Sequence, residues 1–219
     1  MKAMILAAGL GTRMGPLTRD LPKPLLPVDG KPLIMHLLES LAAAGFVELV
    51  VNLAYRGEAI EDALGDGARF GVHIAYSHEP DGPLGTGGGV QRALPLLGPA
   101  PFVLVNADVR SGFPFAKLRK PPAGLGHLVL VDNPPHNPGG DFALQADGRL
   151  ANQGNSMLTF AGISLLEPRL FEASPGGTFS LIPLLRAAAA VGDLTGEHYR
   201  GPWLDVGTPQ RLADAQRPS

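Results

Sequence analysis

Between Met4 and Val28 the chain reads MILAAGLGTRMGPLTRDLPKPLLPV. Gly9 and Gly11 lead into Thr12 and Arg13, and Lys23 stands between Pro22 and Pro24. Glycines let backbone N–H groups crowd an anion, and a guanidinium and an ammonium beside them add fixed positive charge. Such a segment suits the phosphates of a nucleoside triphosphate. It is not a P-loop, because Gly-x-x-x-x-Gly-Lys-Ser/Thr is absent. It is not a dinucleotide fingerprint either. Met14 takes the third glycine slot, and Pro16, Pro22 and Pro24 forbid an immediate long helix.

Further candidates lie downstream. Asp108 follows the apolar run FVLVN and Ala107, where a carboxylate serves as a helix cap or a metal ligand. Asp205 sits in WLDVGT, and a carboxylate among apolar neighbours must be solvated, paired or metal-bound. Gly82 to Gly89 reads GPLGTGGG, either a flexible loop or a helix start whose N–H groups are bare for a ligand. Asp141, at the entry to a hairpin, reads as a turn-stabilising residue or a substrate contact. Gly162 would let a ligand approach the backbone. His136, in a loop of Pro and Asn, reads as solvated.

The elements that must position these residues follow from periodicity. Apolar runs at 4–8, 46–52, 72–77, 102–106, 128–131 and 158–164 predict strands. Helices are expected at 31–44, 58–64, 90–97 and 181–190, with a last one opened by Thr208 and Pro209. A hairpin is expected around Asp147-Gly148. This β-α-β rhythm implies one α/β domain over 1–219, Rossmann-like, three layers deep, with a mostly parallel but mixed sheet. Residues 1–110, which hold the glycine loop, are read as the nucleotide-binding half and 111–219 as the half for a second substrate.

Bulk properties exclude other classes. The 219 residues, 45% of them hydrophobic, suffice for a full core. A formal charge of −2 gives no reason to expect a nucleic-acid partner. The absence of cysteine removes disulfides, zinc thiolates and a thiol nucleophile. The chain enters its first strand at once and has no long apolar run, so no signal peptide, no membrane span and a cytoplasmic location are expected. No interface is legible, so homo-oligomerisation is left open.

From Leu6 to Thr18 and from Pro22 to Leu25, without a gap, the sequence resembles the signature of the sugar-1-phosphate nucleotidyltransferases. Trp203–Thr208 resembles that family's W-x-D-x-G-T motif. The resemblance spans almost the whole chain. It implies that a sugar 1-phosphate and a nucleoside triphosphate give a nucleotide sugar and pyrophosphate, with Mg²⁺. It implies that Leu6, Ala7, Ala8, Gly9, Gly87 and Gly88 lie against base and ribose. Gly11, Thr12 and Arg13 would hold the β- and γ-phosphates, and Lys23 the α-phosphate. Asp108 and Asp205 would hold the metal, and Asn106, Asp141 and Gly162 would face the sugar or its phosphate. Many relatives carry Glu-Lys-Pro near Asp141; this chain has Gly139-Gly140-Asp141-Phe142 instead. No hexapeptide repeat follows, so no added acetyltransferase domain is expected. Its length, the GTGGG segment and the closing EHYRGPWLDVGT are most similar to short members that use UTP and N-acetylmuramate 1-phosphate in cell-wall recycling. Spacing and composition select neither uridine nor muramate. A maker of GDP-mannose or of another UDP- or dTDP-sugar stays open, as does a silent sensor on the same fold.

Overall fold

The structure is a computed structural model, in which residues 1–216 are described. Strand β1 (Ala3–Leu6) leads into a short ribbon of β2 (Pro27–Val28) and β3 (Lys31–Pro32). Then come α1 (Leu33–Ala43), β4 (Glu48–Leu53), α2 (Gly57–Leu64), β5 (His73–His78), α3 (Gly85–Leu97) and β6 (Phe102–Asn106). The second part adds β7 (Val109–Ser111), β8 (Gly126–Val131), β9 (Phe142–Leu144), β10 (Leu150–Ala151) and β11 (Met157–Leu166). It closes with α4 (Ile182–Ala190), β12 (Leu194–His198), β13 (Trp203–Asp205) and α5 (Pro209–Ala215).

The sheet runs β5-β4-β1-β6 in parallel, then β11 antiparallel to both β6 and β8, with β12 parallel to β8. The hairpin of β9 and β10 joins the free end of β11. The chain is thus one α/β domain on a mixed central sheet. Strands β1, β4 and β6 read as nearly unbroken apolar runs because both of their faces are covered. Ile5, Val51 and Val105 face one core with α1 and α2; Met4, Val50 and Leu104 face the other with α3 and α4.

Three expectations shift. The first strand ends at Leu6, not Ala8, which frees Ala7 to Gly9 as loop. Helix α1 begins at Leu33, not at residue 31, since Lys31–Pro32 pairs with Pro27–Val28. Helix α3 begins at Gly85, five residues earlier than expected, and takes in the triple glycine. The glycines are tolerated for tertiary reasons. A Cβ at Gly87 would collide with the Phe179 ring, and one at Gly89 would lie 2.7 Å from Asn52 Nδ2. Close packing outweighs the entropy cost of glycine in a helix.

Candidate functional site

In an open α/β sheet, ligands bind beyond the carboxyl ends of the strands, where strand order reverses. Here the order reverses between β1 and β6: β4 and β5 lie to one side of β1, and the next strand, β6, to the other. A cavity of about 490 Å³ opens there. Leu6, Ala7, Ala8, Gly9, Gly11, Thr12 and Arg13 line it from the end of β1, and Asn106 and Asp108 from the end of β6. Lys23 closes one side.

The glycine loop is held in shape by its own side chains. Gly11 has φ +66°, and the 3₁₀ turn from Thr12 to Thr18 breaks at Gly15. The Thr18 hydroxyl donates to the carbonyl of Gly11 at 3.1 Å. Met14 is fully buried against Leu26, Val28, Leu33, Val206 and Leu212. With Met14 anchored inward, the neighbouring Arg13 is left exposed at the cavity. Lys23 follows Pro22 and opens a second short turn, whose Leu25 and Leu26 are buried. Its ammonium is directed to Asp108, and the two form an ion pair.

Strand β7 follows Asp108, which therefore caps no helix. Strand β13 pairs with β7, so that Asp205 stands opposite Val109. The Val206 N–H donates to the carbonyl of Asp108 at 2.8 Å. The Trp203 indole N–H donates to the Ala161 carbonyl at 2.9 Å and ties this ribbon to β11. The pairing brings the two aspartates into one neighbourhood. Asp205 itself does not line the cavity; Gly207, two residues on, does. Each carboxylate carries a cation of the chain, Lys23 on Asp108 and Arg211 on Asp205. Two hard oxygen donors of this kind, completed by phosphate oxygens, fit a magnesium ion.

Other expected residues sit elsewhere. The N–H groups of Gly87 and Gly88 both donate to the Phe179 carbonyl, at 3.0 and 3.2 Å, so neither is bare. Gly85 and Thr86, at the very start of α3, line the cavity in their place. Asp141 accepts from the Phe160 N–H at 2.8 Å and from Asn137 at 3.1 Å, as a loop-fastening residue does. Gly162, at φ +71°, lies under the Asn106 side chain, where a Cβ would be 2.7 Å from Nδ2. It makes room for Asn106 and does not line the cavity.

Three groups were missed or misread. Asn52, last but one in β4, and Asn106, last in β6, both stand opposite Leu6 of β1, and Asn52 is 2% exposed. Its Oδ1 accepts from the Ala7 N–H at 2.8 Å, and its Nδ2 donates to Glu79 Oε1 at 2.7 Å. Glu79 Oε2 accepts from the Leu84 N–H at 2.7 Å. This buried chain joins the loop after β1 to strand β4 and to the loop after β5, and both residues line the cavity. The signal was a polar residue ending the apolar run ELVVN. His136 is not simply solvated: Nε2 lies 3.2 Å from Asp205 Oδ2 and 2.8 Å from Arg211 Nη1. Arg211, the third, left no sequence signal.

The profile described as nucleotidyl transferase matches residues 2–132. The chain belongs to the nucleotidyl transferase family. It is 50% identical to the N-acetylmuramate alpha-1-phosphate uridylyltransferase of Neisseria meningitidis serogroup B, covering 99% of this chain and 97% of that one. It is 36% identical to the enzyme of that name from Caulobacter vibrioides, over 97% of each. Among solved structures, HddC from Yersinia pseudotuberculosis complexed with GMP-PN superposes with a TM-score of 0.81 at 23% identity, covering 98% of this chain and 97% of that one. That likeness speaks for the fold. In this chain Gly9–Arg13, Lys23 and Asp108 gather at one switch point of the sheet.

Proposed function

We propose that this nucleotidyltransferase moves a uridylyl group from UTP to N-acetylmuramate 1-phosphate, giving UDP-N-acetylmuramate and pyrophosphate, in cell-wall recycling. The carrying observation is the cavity between β1 and β6, where the glycine loop, Arg13, Lys23 and Asp108 meet. The choice of base and sugar is supported by the relative at 50% identity.

The chemistry asks little of a general base. A sugar phosphate is largely dianionic at pH 7, since its second pKa is about 6. The obstacle is repulsion between that anion and the triphosphate. Positioning and charge neutralisation therefore carry the rate, as in phosphoryl transfer generally. Gly11, Thr12 and Arg13 bind the β- and γ-phosphates and stabilise the departing pyrophosphate. Lys23 moves from Asp108 toward the α-phosphate and offsets charge as the new P–O bond forms. Asp108 and Asp205 would hold Mg²⁺, which would supply neutralisation of the phosphate oxygens. Asn52 and Glu79 keep the loop after β1 in register, so that Ala7 and Ala8 flank the base. Asn106 faces the acceptor.

The test is product identification. The purified chain, UTP, Mg²⁺ and N-acetylmuramate 1-phosphate are incubated, and the product is read by mass spectrometry. A UDP-N-acetylmuramate peak with equimolar pyrophosphate supports the reading. Turnover only with GTP and mannose 1-phosphate would replace it with a guanylyltransferase, the activity named for a Schizosaccharomyces pombe relative 33% identical to this chain.

A further inference from the structure

The mechanism above gives Arg13 to the triphosphate and Lys23 to the transferred phosphorus. It leaves one cation beside the site without a task. Arg211 lies in the first turn of α5, directly after β13, where the Thr208 side chain accepts from its backbone N–H at 3.3 Å. Its guanidinium is ion-paired with Asp205. On the other side Nη1 meets His136 Nε2 at 2.8 Å, on the loop that follows β8. It also lies over Gly207. A Cβ at Gly207 would collide with Arg211 Nη2 and would be 3.5 Å from Arg13 Nη1. Gly207 is buried and lines the cavity. The missing side chain is what lets two guanidiniums, from opposite ends of the sequence, approach one point over Gly207; Arg13 and Gly207 line the cavity, and Arg211 stands just behind them.

We infer that Arg211 receives an oxyanion of the acceptor sugar, with Asp205 holding its place until the substrates arrive; this rests on the proposed function. A guanidinium binds carboxylate and phosphate oxygens through the same planar fork. When a divalent cation takes Asp205, Arg211 loses its carboxylate partner and is released beside the cavity with its fork free. His136 and the first turn of α5 keep it there. The acceptor is the substrate with oxyanions not yet assigned a cation: a 1-phosphate and, in muramate, a lactyl carboxylate. Arg211 is thus a binding residue for the acceptor, set beside Arg13 over Gly207.

The experiment compares the wild-type chain with Arg211→Gln and Arg211→Lys. Mn²⁺ binding is read by electron paramagnetic resonance without substrates, and KM is measured for UTP and for two acceptors. N-acetylmuramate 1-phosphate has both oxyanions; N-acetylglucosamine 1-phosphate has only the phosphate and is read as a Ki where it is not turned over. Arg211→Gln should raise the acceptor KM about tenfold or more and leave the KM for UTP within about twofold. Arg211→Lys should recover part of the loss, because it restores charge without the fork. Mn²⁺ should bind at least as tightly as to wild type, since a competing cation has left Asp205. A loss with both acceptors assigns the 1-phosphate; a loss with muramate alone assigns the carboxylate. An unchanged acceptor KM, an equal loss for UTP, or weakened Mn²⁺ binding would overturn the inference. If the wild-type chain does not use muramate at all, the proposed function fails. The Arg211 comparison is then run on the sugar 1-phosphate that it does use, so the two failures are distinct.

Discussion

Lys23 and Asp108, 85 positions apart in sequence, form an ion pair that joins the proline-rich segment after the glycine loop to the end of β6. The pair is only partly exposed, at 12% and 24% of the two side chains. Lys23 is therefore poised by a carboxylate that must give it up when phosphates enter. Lys23→Ala should lower kcat by about 10² to 10⁴, the range seen when one preorganised charge is removed from a transition state. Asp205→Ala should fall in the same range. Steady-state pyrophosphate release checks both, and near-normal turnover in either variant would remove that residue from the mechanism.

Asn52 carries a structural prediction. Its removal strips the buried Ala7 N–H of its acceptor and Glu79 Oε1 of its donor. Leaving such groups unpaired costs about 1–3 kcal/mol each. Asn52→Ala should lower the denaturation midpoint and weaken UTP binding together, because the loop after β1 loses its tie to β4. Urea unfolding and a nucleotide thermal-shift titration measure the two effects. A variant that loses stability but binds UTP normally would show that the tie does not shape the nucleotide site.

In α3, Gly87 packs against the Phe179 ring, Gly88 against the Gly177 carbonyl and Gly89 against Asn52. Gly87→Ala forces a methyl into the Phe179 ring and should cost about 1–3 kcal/mol by overpacking. Combining it with Phe179→Ala should recover part of that loss, a positive coupling readable in a double-mutant cycle. Additive losses would mean that Gly87 is there for another reason.

The same helix shows what sequence could and could not say. Strands β1, β4 and β6 were legible because residues buried on both faces leave a nearly unbroken apolar run. The glycine loop was legible because its residues are contiguous. The start of α3 was not, since glycine cost favours a loop, and it is contacts with Phe179, Gly177 and Asn52, all distant in sequence, that reverse the balance. The ribbon of β7 and β13 has three residues per strand, too few for a period to show. It is nevertheless what gathers Asp108 and Asp205. The Asn52–Glu79 bond spans 27 positions and the Arg211–His136 contact 75, so neither leaves a local pattern. Asp141 could be read as a turn residue or a sugar contact; its carboxylate accepts from Asn137 in its own loop and from the Phe160 N–H 19 positions on, a bond that leaves no local pattern.

A pH dependence of stability follows from His127. Burial pushes its imidazole below the ordinary value of 6.5; nearby Glu197 opposes the shift, and Lys117 adds to it. The ring is thus favoured neutral in the folded chain, with Nδ1 2.9 Å from the Thr195 hydroxyl. As pH falls through about 6.5 the unfolded chain takes up the proton first. The stability His127 contributes is present above that pH and is lost as pH drops toward its folded value. Thermal melts from pH 7.5 to 5 should show a decline that His127→Gln makes shallower. A slope unchanged by that substitution would assign the decline to other groups.

The central claim is the reaction itself, and initial rates of pyrophosphate release test it most directly. With Mg²⁺ and UTP, the acceptors are N-acetylmuramate, N-acetylglucosamine, glucose and mannose 1-phosphates, and GTP and dTTP then replace UTP. The account predicts the highest kcat/KM for UTP with N-acetylmuramate 1-phosphate and its loss in Lys23→Ala. Preference for another sugar or base would contradict the assigned substrate, and no release in any combination would contradict catalysis.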